Sequence, residues 1–213
     1  MPQLKLVIFD CDGVMFDSRE ANRLYYNRLL ARFNHPPMDR DELEYVHTHN
    51  VLDSVNHIFR RYPPAETDQA HAFRQKLDYR DFIRYMIIEP DLKEFLAFLK
   101  PDYHTAISTN RTTTMPILLQ MFGIESYFDM VVTAFDVKRP KPDPEALLVI
   151  LDHFGLTVDE AVFVGDSMVD REHADGVGMR LIAFKNPALP ATYHVSSFME
   201  IPRLPLFRRD PSH

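Results

Sequence analysis

Residues 5–14 read KLVIFDCDGV, and this short stretch decides the fold that we predict for the chain. Residues 6–9 are an apolar, partly β-branched run, which is typical of a buried strand. The run ends at Asp10 and Asp12, and Gly13 then allows a sharp turn. Because ligands bind outside the carboxyl ends of the strands in a parallel α/β sheet, these two carboxylates lie where a functional site is expected.

Asp10 and Asp12 project toward the same side of an extended chain, whereas Cys11 points to the other side. Two close carboxylates repel each other unless a cation or a shared proton relieves them, and Mg²⁺ is commonly held by one or two carboxylates. The alternative is a simple turn with Asp12-Gly13 as the turn dipeptide. This stretch alone leaves both interpretations open. We interpret Cys11 as a core residue, since neighbouring carboxylates raise a thiol pKa.

The rest of the chain shows two kinds of pattern. From residue 16 to about 88, helical periodicity and proline pairs predict three or so helices in a small inserted subdomain. Strands and helices then alternate to about residue 185, with a predicted helix over 112–122 and another capped by Asp143. This alternation predicts an α/β fold with a doubly wound parallel sheet.

Composition narrows the range of partners. The 213 residues carry a formal net charge of −7, which gives no electrostatic reason to bind nucleic acid or an anionic membrane. One cysteine excludes an internal disulfide and fits a reducing compartment. The first residues lack the features of a signal peptide, and no apolar stretch approaches the ~20 residues that span a bilayer. We therefore expect a cytoplasmic protein.

Polar residues follow three further predicted strands. Thr109 and Asn110 follow one, Lys141 lies in the proline-rich loop after the next, and Asp166 follows a third. Asp10 and Asp166 could share one metal ion, while hydroxyl, amide and ammonium groups supply donors for phosphoryl oxygens. This combination indicates phosphoryl transfer, in which catalysis consists mostly of positioning and charge neutralisation.

Four segments in chain order resemble the signature motifs of the haloacid dehalogenase-like hydrolase superfamily. They are DCDGV at 10–14, STN at 108–110, KPDPEAL at 141–147 and GDSMVD at 165–170. Within the superfamily the chain is similar to the phosphoglycolate phosphatase-like branch, which has a helical cap directly after the first motif. The resemblance implies a Rossmann-like catalytic core, residues 1–15 and 88–213, and a helical cap domain, residues 16–87.

The resemblance also implies a role for each motif residue. Asp10 attacks phosphorus and becomes an aspartyl-phosphate, while Asp12 protonates the leaving oxygen and later takes a proton from water. Thr109 and Asn110 hold the phosphoryl group, and Lys141 offsets its charge.

The same resemblance implies a Mg²⁺ site. Its ligands are Asp10, the backbone carbonyl of Asp12, and Asp166. Asp170 anchors either a metal-bound water or Lys141.

We expect a Mg²⁺-dependent phosphatase that acts on a small phosphorylated metabolite as a monomer or homodimer. Because the family's dehalogenases lack an acidic residue at the position of Asp12, its presence favours phosphoryl transfer. A phosphomutase of the β-phosphoglucomutase type and a non-catalytic module that binds phosphorylated ligands are the alternatives.

Several assignments stay open at this point. Lys138 or Arg139 could replace Lys141, and Ser108 could replace Thr109. Arg111 either assists with substrate phosphate or is a solvated arginine at a helix start.

In the insert, four polar residues either touch the leaving group or cap and solvate the first helix: Asp17, Ser18, Arg19 and Asn22. His47 and His49 diverge on a helix, so we interpret them as parts of polar helix faces and not as metal ligands.

Overall fold

Six parallel strands form the main sheet of the protein, whose structure, a computed structural model, describes residues 3–207. The strands are, in chain order, β1 (Leu6–Phe9), β2 (Phe16–Asp17), β3 (Ile87–Ile88), β4 (His104–Ser108), β5 (Met130–Val132), β6 (Ala161–Gly165), β7 (Arg180–Phe184) and β8 (Tyr193–Val195). The main sheet has the order β5-β4-β1-β6-β7-β8, and β2 pairs only with β3. Residues 1–2 and 208–213, the ends of the predicted core, lie outside the described residues.

Helices cover both faces of the main sheet. The α-helices are α1 (Arg19–Arg32), α2 (Arg40–Thr48), α3 (Val51–Phe59), α4 (Pro64–Arg74), α5 (Arg80–Ile83), α6 (Leu92–Leu99), α7 (Met115–Phe122), α8 (Glu145–Phe154) and α9 (Met168–Asp175). Short 3₁₀ helices lie at Glu125–Tyr127, Val158–Glu160, Phe198–Arg203 and Pro205–Phe207. Helices α6 and α7 share one apolar cluster with the sheet, and α8 and α9 share another. The predicted doubly wound parallel fold is confirmed.

Strand β1 lies at the centre of both apolar clusters. Val7 and Phe9 belong to the cluster with α6 and α7, whereas Leu6 and Ile8 belong to the one with α8 and α9. All four side chains are fully buried. A strand covered on both faces has no solvent-facing side to fill with polar residues, which explains its unbroken apolar sequence.

Helices α1 to α4 form a separate apolar cluster, against which Phe82 of α5 packs, whereas Ile83 of α5 belongs to the cluster with α6 and α7. The chain leaves the sheet and returns to it through the ribbon of β2 and β3, in which Phe16 pairs with Ile88 and Asp17 with Ile87. Among the residues described, 3–207, no helix has the length and apolar character needed to cross a membrane.

Some local predictions differ from the structure. The insert contains five helices where three or so were expected, and one of them, α5, is a single short turn. Helix α7 begins at Met115, three residues later than predicted. The N-cap position of α8 is occupied by Pro144 and not by Asp143, whose carboxylate accepts a hydrogen bond from the Glu145 N–H.

Candidate active site

The carboxyl ends of three adjacent strands bring the predicted site residues together. Strand β1 pairs with β4 on one side and β6 on the other. Asp10 follows β1, Thr109 follows β4 and Asp166 follows β6. All three line one cavity of about 420 Å³, together with Lys141. The polar side chains meet because parallel strands end at the same edge of the sheet.

Lys141 lies between two carboxylates. Its Nζ is 2.7 Å from Oδ1 of Asp10 and 2.7 Å from Oδ1 of Asp170. The Lys141 side chain is 3% exposed and that of Asp170 is fully buried, so solvent screens these ion pairs little. Although burial opposes both charges, their attraction raises the pKa of Lys141 and lowers that of Asp170. Both groups are therefore charged near neutral pH.

Asp170 also organises the start of the loop after β6. Its Oδ2 accepts hydrogen bonds from the backbone N–H groups of Asp166 and Ser167, at 3.1 and 3.2 Å, and from the Ser167 hydroxyl at 2.9 Å. A Cβ atom on Gly165 would lie 2.4 Å from the Cβ of Asp170, so only glycine fits there. Asp170 thus fixes both Lys141 and the backbone that carries Asp166.

Three carboxylates face one another without enough positive charge to neutralise them. Asp10, Asp166 and Asp170 each offer an oxygen, and these oxygens all lie within 4.8 Å of one another. Burial, with repulsion from the other carboxylates, raises the pKa of Asp10 to about 7 and that of Asp166 to about 9. One ammonium group cannot balance three carboxylates, so the cluster fits a hard divalent cation with oxygen ligands.

Asp12 has a different environment from Asp10. Its Oδ1 accepts a 2.7 Å hydrogen bond from Nη2 of Arg111. Burial disfavours the charged carboxylate, but the guanidinium outweighs this effect and lowers the pKa of Asp12. Between the two carboxylates, Cys11 is fully buried and its thiol pKa is raised, as expected of a core residue.

Thr109 and Asn110, which follow β4, make different kinds of hydrogen bond. Thr109 Oγ1 accepts the Arg111 backbone N–H at 3.1 Å, which leaves its hydroxyl proton free to donate. Asn110 Nδ2 donates to the backbone carbonyls of Thr48 and Lys141, both at 3.1 Å. Because a carbonyl only accepts, the amide nitrogen of Asn110 must face these two groups.

A scan against known protein families gives a match over most of the chain. The model described as haloacid dehalogenase-like hydrolase matches residues 7–184. The chain belongs to this family. It is therefore a hydrolase, which sets aside the alternative of a module that only binds phosphorylated ligands.

Individual hydrolases of the family are similar along most of their length. The phosphoglycolate phosphatase of Nitrosococcus oceani is 32% identical, over 85% of this chain and 84% of that protein. Pyrophosphatase PpaX of Bacillus velezensis is 27% identical, over 77% of this chain and 75% of that protein. A crystal structure of a haloacid dehalogenase-superfamily hydrolase of subfamily IA from Geobacter sulfurreducens is 40% identical, with a TM-score of 0.76 and coverage of 93% and 94%. These relatives support the predicted similarity to the phosphoglycolate phosphatase-like branch.

The open choices in the core of this hydrolase separate clearly in space. Lys141 lines the cavity, whereas the Arg139 side chain is 71% exposed and pairs with Asp143. The Ser108 hydroxyl lies 2.9 Å from Nε2 of the buried His173, away from the cavity lining, while Thr109 lines it.

Arg111 is neither solvated nor at a helix start. It is buried, and α7 begins four residues later at Met115. Its position next to Asn110 was the only sequence signal of its place in the site.

The insert contributes cavity residues that the sequence analysis did not assign to the site. Tyr25, Arg74 and Tyr79 line the cavity, as do His47 and His49. His47 is buried and burial lowers its pKa, so the expected polar helix face is wrong for this residue.

The segment that begins the insert has one residue at the cavity. Asn22 lines it, and its Nδ2 lies 3.5 Å from Nδ1 of His47. Arg19 instead pairs with Glu44 on α2, and Asp17 accepts the Arg19 backbone N–H.

Proposed function

We propose that this hydrolase is a Mg²⁺-dependent phosphatase that cleaves a small phosphorylated metabolite through an aspartyl-phosphate on Asp10. The observation that carries the proposal is the position of Asp10. Its carboxylate lines a cavity of about 420 Å³, contacts Lys141, and is flanked there by Asp12 and Thr109. The relatives described as phosphoglycolate phosphatase and pyrophosphatase support the same reaction class.

The proposed reaction has two displacements at phosphorus. In the first, a carboxylate oxygen of Asp10 bonds to phosphorus, the bond to the leaving oxygen breaks, and the protonated form of Asp12, a minor form because Arg111 lowers its pKa, gives that oxygen a proton. In the second, water bonds to phosphorus, the bond to Asp10 breaks, and the water proton passes to Asp12. The products are an alcohol and inorganic phosphate, and both carboxyl groups return to their starting state.

Donors for the transferring phosphoryl group come from two residues. Lys141 has three N–H donors, of which two are used by Asp10 and Asp170, so one remains for a phosphoryl oxygen. The Thr109 hydroxyl supplies another donor. We retain Asn110 as a residue of this site, and we infer that it holds the Lys141 loop in place.

Asp10, the backbone carbonyl of Asp12, and Asp166 would hold the Mg²⁺ ion. When bound, the ion neutralises carboxylate and phosphoryl charge. Two observations support a cation at these residues. The carboxylates repel one another, and Gly13 lies so close to Asp166 that a Cβ atom there would be 2.1 Å from Oδ2 of Asp166.

We assign the leaving group to the part of the cavity that the insert lines, with residues 16–87 as cap and 1–15 with 88–213 as core. None of the described residues between 16 and 87 that line the cavity carries a carboxylate, and one of them, Arg74, carries a positive charge. The cavity volume suits a small metabolite.

Phosphate release from a panel of phosphorylated metabolites, with Mg²⁺ or with EDTA, tests the proposal. Asp10→Asn should lower release by at least about 10³-fold, because the amide is a poor nucleophile. Asp152→Asn is the matched control, since Asp152 is exposed on α8. Release that survives in Asp10→Asn, or that EDTA does not affect, would contradict the mechanism.

Arg74 favours a phosphomutase as the second candidate. A cation on the cap side of the cavity could hold the second phosphoryl group of a bisphosphorylated intermediate. A mutase requires a sugar bisphosphate activator for sustained turnover and yields little free phosphate. Phosphate release without any activator would exclude it.

A further inference from the structure

Arg111 is a buried arginine that joins three parts of the molecule. It lies in the loop after β4 and is 9% exposed. Its Nη2 donates to Oδ1 of Asp12, and its Nη1 donates to the Tyr79 hydroxyl at 3.2 Å and to Oγ1 of Thr114 at 3.3 Å. These contacts connect the loop after β4, the residue that we assign to proton transfer, and the helical insert.

The guanidinium restrains the orientation of the Asp12 carboxylate. Its donors form a rigid planar fork, so a carboxylate bonded to it has little freedom to rotate. The two side chains are only 7% and 14% exposed, and water therefore competes weakly for either partner. Arg111 is in turn fixed by Tyr79, whose ring centroid lies 5.4 Å from Cζ in addition to the hydroxyl contact.

Arg111 has few donors left for a phosphoryl group. Nη1 is bonded to Tyr79 and Thr114, while Nη2 is bonded to Asp12 and lies 3.5 Å from Sδ of Met86. Its Nε is buried and has no hydrogen-bond partner among residues 3–207. The geometry therefore favours an action through Asp12 and not a direct contact with substrate phosphate.

Building on the proposed phosphatase chemistry, we propose that Arg111 is a positioning residue that holds the Asp12 carboxylate at the leaving-group oxygen, with Tyr79 of the insert anchoring the guanidinium. Proton transfer requires a heavy-atom distance of about 2.6–3.2 Å, and a misplacement of about 1 Å can cost about 10²-fold in rate. Asp12 must meet this requirement twice in each cycle. The Arg111 contact supplies the same orientation for both steps.

Two substrates with different leaving groups test this role. Nitrophenolate leaves readily without a proton, whereas an alkoxide does not, so only an alkyl phosphate depends strongly on Asp12 as the acid. Because kcat/KM reports only the first displacement, Arg111→Met should lower kcat/KM for the best alkyl phosphate of the panel by about 10²-fold and that for p-nitrophenyl phosphate by less than about threefold. Inhibition by inorganic phosphate should change little, because Arg111 does not contact the phosphoryl group. Arg23→Met, which removes an exposed arginine on α1, is the matched control.

Two milder variants keep the test decisive if Arg111→Met does not fold. Arg111→Lys retains the charge but not the planar fork, and it should shift the ratio of the two kcat/KM values in the same direction. Tyr79→Phe keeps the ring and removes the hydroxyl, and it should lower kcat for the alkyl phosphate about fivefold, as expected for one lost hydrogen bond.

A double-mutant cycle links the effect to Asp12. In an Asp12→Asn background, Arg111→Met should cause no further loss with the alkyl phosphate, because the group that Arg111 positions has been removed. An equal loss of kcat/KM on both substrates, an additive loss in the Asp12→Asn background, or weaker inhibition by phosphate would each overturn the proposal. Activity that survives Asp10→Asn refutes the phosphatase mechanism itself, whereas an Asp10-dependent reaction with an unchanged leaving-group ratio refutes only the role of Arg111.

Discussion

Replacing Asp166 by asparagine should stabilise the metal-free protein and abolish metal-dependent phosphate release. Asp166 faces Asp10 and Asp170 with oxygens within 4.8 Å, but Lys141 pairs only with the latter two. Burial and repulsion raise the pKa of Asp166 to about 9. The carboxyl is therefore an unfavourable group in the folded protein until a cation binds.

The size of this effect follows from the pKa difference. Protonating a carboxyl near pH 7 against an ordinary value of 3.8 costs up to about 4 kcal/mol. Asp166 is only half-buried, and solvent screening reduces the expected gain for Asp166→Asn to about 1–3 kcal/mol. Because the folded pKa lies above the unfolded one, the penalty in the wild type grows as pH rises from about 4 to about 9. The stability gained by Asp166→Asn should thus vanish near pH 4.

Urea unfolding in EDTA and in Mg²⁺ measures both parts of this prediction. Magnesium at about 100 times its Kd should stabilise the wild type by about 2.7 kcal/mol and the variant far less, so the stability difference narrows or reverses. Asp152→Asn controls for the loss of one negative charge. The reasoning would be refuted if Asp166→Asn were less stable than the wild type in EDTA near pH 7, or if Mg²⁺ stabilised it as much as it stabilises the wild type.

Three further substitutions test the surroundings of the site. Lys141→Met should destabilise the protein by about 3–5 kcal/mol in urea unfolding, because it leaves buried carboxylates without their cation. Burial lowers the pKa of His173 to about 4, so its contribution to stability is present above about pH 6.5 and is lost as pH falls toward 4. As pH falls between these values, the free energy of unfolding of the wild type should therefore decrease by up to about 3 kcal/mol more than that of His173→Gln, measured by urea unfolding at stepped pH. Asn110→Asp places an oxygen against two carbonyls, and it should unfold about 1–3 kcal/mol more easily than Asn110→Ala in the same assay.

The residues at the strand ends could be predicted from the sequence because their positions depend on local pattern and on one general rule of topology. An apolar run that stops at Asp10 marks the end of a buried strand, and the same holds for Thr109 and Asp166. The carboxyl ends of parallel strands share one edge of the sheet, so these residues had to converge. Lys141 required the motif spacing as well, since two other cations lie in its loop.

The contacts of the insert could not be predicted in this way. Arg111 pairs with Asp12, 99 residues away, and with Tyr79, 32 residues away, and neither separation leaves a periodic trace in the sequence. Strands β2 and β3 have two residues each, which is too short for an alternating pattern. His47 shows the same limit, because a polar residue on a helix is exposed or buried according to what packs against it.

Three consecutive residues after β4 connect the catalytic edge of the sheet with the insert. The Thr109 hydroxyl lines the cavity, the Asn110 amide joins the carbonyls of Thr48 and Lys141, and Arg111 joins Asp12 to the insert. A family motif at this position predicts phosphate binding, yet the side chains of Asn110 and Arg111 donate hydrogen bonds to other parts of the protein. The insert therefore does more than enclose the leaving group, because its contacts also fix the residues on which phosphoryl and proton transfer depend. A substitution in the insert that moves Thr48 or the Arg111 anchor should consequently change kcat as well as KM.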